Sequence, residues 1–406
     1  MARAAIMMRY KRAQRIVFPG LLKAYYRKDE PYDKHLVQDA KNLPDGLIWG
    51  SREHALYLWF LCIYMKGGIN SQVAITQLSK LYTDHQWIFM PENLLGLDKL
   101  ELRWVIEWLG TTLQEYGLGS NVEESKRTWV WNSVKLAKFW NSDPRDIFRE
   151  AEKNAEASWQ SYEAAKANYD ALARLIIRKP GSTHETIMSQ PNGFYGFQHK
   201  MVSMIIYFFI HAGILVSFPY PVPVDFHILR VLISTGILGI RKRTERRWGS
   251  RHWEFREKFL PYAREVTLRY VVEERANPQH LADVLWILSR SWCRHHPGNK
   301  SSVEKTRTAR RRHITDLPVV WNASTERRYD RTCGRCPIEN ECRWNIPSSY
   351  YYVKGCIVLR SARIRPPQYK LLDVPVTSVR MNRRAYPKAV RRPPPVLADI
   401  HQSTFL

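Results

Sequence analysis

The stretch YDRTCGRCPIENECRW, residues 329–344, holds three of the chain's six cysteines, Cys333, Cys336 and Cys342. Their spacing is C-x2-C-x5-C, in a polar loop where free thiols seldom crowd. Such a set holds zinc or an iron–sulfur cluster, and either needs a fourth ligand. Cys293 is the natural candidate, because it ends the apolar-periodic stretch HLADVLWILSRSW upstream. His295, His296 or His313 would serve as the fourth ligand of a zinc site, so spacing alone leaves both metals open. Cys62, inside an apolar run, and Cys356, inside VKGCIVL, read as buried structural thiols.

The rest of the composition says what such a site serves. The chain has 406 residues, enough for two or three domains, and a formal net charge of +25. An excess of this size favours a polyanionic partner. No apolar core followed by a small-residue cleavage site opens the sequence, which points to an intracellular chain. The apolar run 201–216, MVSMIIYFFIHAGILV, carries His211 and runs into FPYPVPV, so it reads as a buried core helix and not a membrane span. Six cysteines in such a chain indicate metal or catalysis, not a disulfide framework.

Along the chain, residues 1–45 are basic and aromatic with no clean period. SREHALYLWFLCIYM, from Ser51, is apolar on most faces, as a buried helix is. Ser71 can cap the next helix, SQVAITQLSKLY. Residues 91–143 are rich in Trp and Leu but broken by loop signals, and take no assignment. Residues 146–177 predict one or two amphipathic helices. A loop, KPGSTHETIMSQPNG, and the compact FYGFQHK follow. VDFHILRVLISTGILGI predicts a further helix. RKRTERRWGSR is strongly basic, and residues 346–406 read as a basic, partly disordered Pro/Arg-rich tail. The fold class is mainly α.

Taken together, these features resemble the helix-hairpin-helix DNA glycosylases, in particular the endonuclease III-like branch with a four-iron, four-sulfur (4Fe-4S) cluster. The last three cysteines have that branch's C-x2-C-x5-C spacing, and LWILSRSWC is similar to the helix before its first ligand. PVDFHILRV at 223–231 is similar to its V-D-T-H-x-x-R-V stretch. FYGFQHK at 194–200 lies where the family has its L-P-G-V-G-x-K hairpin. GINSQVAITQLSKLY at 68–82 resembles its helix and glutamine loop. The departures are 39 residues between Cys293 and Cys333, and Tyr195 and Gln198 in place of the hairpin's proline and second glycine.

The resemblance implies a two-lobed fold: a helical domain over 49–232 with the hairpin and catalytic residues, and a cluster lobe over 233–345. The segment 1–48 would pack with that lobe. It implies Asp225 as catalytic carboxylate, Lys200 as nucleophile, Gln72 as the wedge that fills the gap left by an extruded base, and Cys293, Cys333, Cys336 and Cys342 as cluster ligands. Tyr195, Gly196, Gln198, His199 and His227 would contact double-stranded DNA. Gln198 should weaken the hairpin, since it tolerates positive φ poorly. The basic insert adds Lys305, Arg307, Arg310, Arg311 and Arg312 as phosphate contacts, and Arg241, Lys242, Arg243, Arg246 and Arg247 form a second basic run. The activity implied is excision of a damaged or modified base, with or without strand cleavage by β-elimination, in repair or in attack on modified foreign DNA. The alternatives are a non-catalytic nucleic-acid-binding protein on the same scaffold and a zinc-stabilised module of unrelated fold. The base excised and any protein partners are not readable.

Overall fold

The computed structural model describes residues 6–33, 43–64, 71–119, 121–240, 252–293, 331–342, 350–353 and 356–359. It is mainly helical. In order come strand β1 (Ile6–Met8), helices α1 (Phe18–Tyr26), α2 (Arg52–Tyr64), α3 (Ser71–Asp84), α4 (Lys99–Glu115), α5 (Val122–Phe139), α6 (Tyr162–Ile176), α7 (His184–Ser189), α8 (His199–His211) and α9 (Phe226–Ser234), strand β2 (Leu238–Ile240), and helices α10 (His252–Glu273) and α11 (Pro278–Ser291). A hairpin of β3 (Tyr350–Val353) and β4 (Cys356–Leu359) lies in the segment read as tail. The chain divides into two compact units. Of the described residues, one holds those up to 33, 224–270 and those from 280; the other holds 43–223 and 271–279. Among the described residues no helix is long and apolar enough to cross a membrane.

The second unit is built around α2. Every residue from His54 to Tyr64 is buried, as the all-round apolar pattern requires, and α3, α5 and α8 pack on it. Phe60 stacks on Trp129 of α5 at 4.4 Å, while Trp59 meets Phe194 at 5.0 Å and Phe197 at 4.5 Å. Truncating such a side chain to alanine costs about 3–5 kcal/mol. The unassigned residues 91–143 form α4 and α5. Asp98 opens α4 with a capping box: its carboxylate accepts from the Leu100 and Glu101 amides, and Glu101 accepts from the Asp98 amide. The span 146–177 is broken more finely than expected. Short helical turns at Pro144–Phe148, Arg149–Lys153 and Ala155–Ser158 precede the longer α6. The expected loop before the hairpin contains α7, too short to leave a periodic signal.

In the first unit, β1 pairs antiparallel with β2, Ile6 opposite Ile240. The helix predicted through residue 240 therefore stops at Ser234. Gly236, at φ 72°, supplies the left-handed turn that starts the strand. Residues 10–26 are helical despite their lack of period, because a π-helical stretch at Ala13–Val17 rotates the buried face partway along. Arg12 donates to the carbonyls of Thr235, at the end of α9, and Glu341, in the cysteine loop. Tyr25 bonds Asp283 and Tyr32 bonds the Val284 carbonyl, fixing the N-terminal segment to α11.

Candidate functional site

The hairpin residues lie in the second unit. Gly196 sits at φ 75°, where glycine is favoured. Gln198 is the N-cap residue of α8 with φ −134° and ψ 174°, an extended conformation open to any residue. The second glycine is thus dispensable here, which corrects the expectation that Gln198 strains the turn. Tyr195 is held on all sides. Its amide donates to Asn132 Oδ1 at 2.8 Å, its carbonyl accepts from Asn132 Nδ2 at 3.0 Å, and its hydroxyl bonds His184 Nδ1 at 2.7 Å. Arg178 stacks over its ring. His199 bonds the Tyr169 hydroxyl through both ring and carbonyl.

Lys200, half-buried at the start of α8, has its charge close enough to the buried Cys62 of α2 to oppose the burial that pushes this thiol well above its ordinary pKa. Gln72 is exposed in the first turn of α3.

In the first unit, Asp225 is the N-cap residue of α9 and is buried. Its Oδ1 accepts from the amides of His227 at 2.8 Å and Ile228 at 3.1 Å. Among the described residues Oδ2 takes no hydrogen bond, so one carboxylate oxygen holds the helix and the other is uncommitted. His227 is also buried. Its Nδ1 meets Ser289 Oγ of α11 at 3.1 Å, and its ring packs on Trp286. It therefore orients α9 against α11.

One turn beyond His227, Arg230 donates to the Ser289 carbonyl at 3.4 Å and acts electrostatically on Cys293. The Cys293 thiol is pushed up to about 12, first by burial and then by Cys342, with Arg230 opposing. Burial also raises the Tyr32 hydroxyl, followed by Cys336 and Cys293. Cys293, Cys336 and Cys342 thus share one neighbourhood, beside Tyr32 and the end of α11. Among the described residues no three His, Cys, Asp or Glu side chains gather closely enough to hold a metal ion. Cys333 lies in the turn Cys333–Arg335, and its side chain is outside the described residues. The donors named are all thiols, the chemistry an iron–sulfur cluster takes, and Arg230 acts on one of them, Cys293.

Lys305, Arg307, Arg310, Arg311 and Arg312 lie outside the described residues, as does the basic run 241–251. Sequence reasoning missed Arg230, Ser289, Tyr32, Asn132 and Lys135. Asn132 and Lys135 had one legible signal, polar residues three apart on the apolar face of what is now α5. The sequence matches no family model and no curated protein. Lys200 belongs to one unit and Asp225 to the other.

Proposed function

We propose that the chain is a DNA glycosylase of the two-lobed helix-hairpin-helix type, acting on a base extruded from double-stranded DNA, with a structural iron–sulfur cluster held by Cys293, Cys333, Cys336 and Cys342. The observation that carries this reading is Asp225: a buried carboxylate at a helix N-terminus, with one oxygen capping and the other taking no hydrogen bond among the described residues. Breaking the glycosidic bond sends its electron pair to the base and leaves positive charge on the sugar, and a fixed carboxylate stabilises that charge as it develops. The Lys200 amine would attack C1′ and form the Schiff base from which β-elimination proceeds. Net charge of +25 supplies the phosphate attraction that offsets unstacking the base. The cluster would contribute folding of the loop that carries Cys333 to Cys342 and take no part in excision.

A binding protein without chemistry is the rival reading. The altered hairpin favours it, with Tyr195 and Gln198 where the glycosylase pattern has proline and glycine. Borohydride trapping on DNA containing an abasic site tests the lyase part. Wild type should give a covalent adduct that Lys200→Ala abolishes, and an adduct undiminished in the variant moves the nucleophile elsewhere.

A further inference from the structure

The segment that leads into the hairpin turns its carbonyls toward one helix. Lys135 of α5 is fully buried, and its ammonium donates to the carbonyls of Ile187 at 2.6 Å, Gln190 at 2.8 Å and Asn192 at 2.8 Å. An ammonium has three protons, and all three are used. Trp140, just past the same helix, donates from Nε1 to the Pro191 carbonyl at 3.1 Å. Asn132, one turn before Lys135 and also fully buried, pairs with both backbone groups of Tyr195. From the other side, Gly193 and Phe194 donate their amides to Leu175 and Ile176 of α6. Backbone groups from 187 to 195 are thereby fixed between two helices by partners far away in sequence.

A loop of nine residues does not need a buried cation merely to reverse direction; glycines and local turns suffice. Taking an ammonium out of water is costly, and three carbonyl partners are what make it tolerable. A cost of this kind is worth bearing where the loop must hold one geometry. The residues just beyond the fixed segment, Gly196 to Lys200, are the ones that would meet DNA.

We propose that Lys135 and Asn132 are positioning residues, which hold the hairpin in the geometry that presents residues 196–200 to the DNA backbone. This rests on the DNA reading above. Cation and carboxamide do from outside the loop what an internally hydrogen-bonded hairpin does for itself. Neither side chain touches nucleic acid.

The test joins amide hydrogen exchange to DNA binding, on full-length wild type and Lys135→Met, which keeps an unbranched chain one atom shorter and removes the charge. In the variant, the amides of Gly193, Phe194 and Tyr195 should exchange about tenfold faster or more while those of α2 keep their protection. Affinity for double-stranded DNA should fall about tenfold, and the salt dependence should flatten by about one phosphate contact. A merely structural role would lower melting temperature and folded fraction without changing the salt dependence, and that result overturns the proposal. So does unchanged exchange at 193–195, or lost protection with binding unaltered. Should Lys135→Met fail to fold, Asn132→Ala leaves the ammonium in place and carries the same readouts. Wild type that binds no DNA overturns the DNA reading and the presenting role together, while the exchange result still decides whether α5 holds the loop.

Discussion

Substitution at Asp225 separates what this residue does for the fold from what it does for chemistry. Alanine removes the acceptor of two buried amides, those of His227 and Ile228. Loss of an N-cap costs about 0.5–2 kcal/mol, and burial puts this site at the upper end, because water cannot replace the lost acceptor. About 2 kcal/mol corresponds to roughly a 30-fold change in an opening equilibrium. Asparagine keeps an oxygen at the Oδ1 position and is as good a cap, so its cost should stay under about 0.5 kcal/mol. Because the chain has two compact units, a global melt would mix their transitions. Amide exchange within α9 reads the local effect directly. Protection at His227 and Ile228 should drop roughly 30-fold in Asp225→Ala and stay near wild type in Asp225→Asn. Equal loss in both variants would refute the cap argument, since charge and not geometry would then be holding the helix.

His54 and Cys336 supply further predictions. Burial, with His211 adding to it, lowers the His54 pKa to about 4. The folded chain then binds fewer protons than the unfolded one, whose histidine titrates near ~6.5. The stability from neutral His54 is therefore complete above that value, is lost as pH falls toward 4, and changes no further below it; the full loss is about 3 kcal/mol. Amide protection within α2 of wild type and His54→Asn at pH ~7.5 and ~4.5 checks this, as the variant should lose less of it over that interval. An identical loss in both would remove His54 as a cause. Cys336→Ser should lower iron and acid-labile sulfide per chain and bleach the visible absorption of purified protein; zinc in place of iron would support the other metal.

Legibility followed the length and purity of the pattern. Helix α2 was readable because nothing polar interrupts the run from Ala55 to Tyr64. The Asp225 stretch was noticed through its similarity to the V-D-T-H-x-x-R-V pattern, and the structure gives Asp225 a local use as N-cap of α9. Short elements escaped. Three-residue β2 has no room for alternation, and six-residue α7 has no second turn of period. The N-terminal helix escaped because its π-helical stretch breaks the 3.6-residue repeat. Arg230, Asn132 and Lys135 escaped for another reason. Each bonds backbone more than 50 residues away, and a backbone acceptor leaves no mark in the side-chain pattern.

Base release most directly tests the central claim. Wild type and Asp225→Asn would each be incubated with double-stranded DNA bearing a panel of damaged, mismatched and modified bases, with free base and abasic sites measured. Wild type should release at least one base, and Asp225→Asn should lose about 100-fold or more of that release with DNA affinity nearly unchanged. No release from any DNA by a wild type that binds tightly would contradict the claim and leave the binding-protein reading.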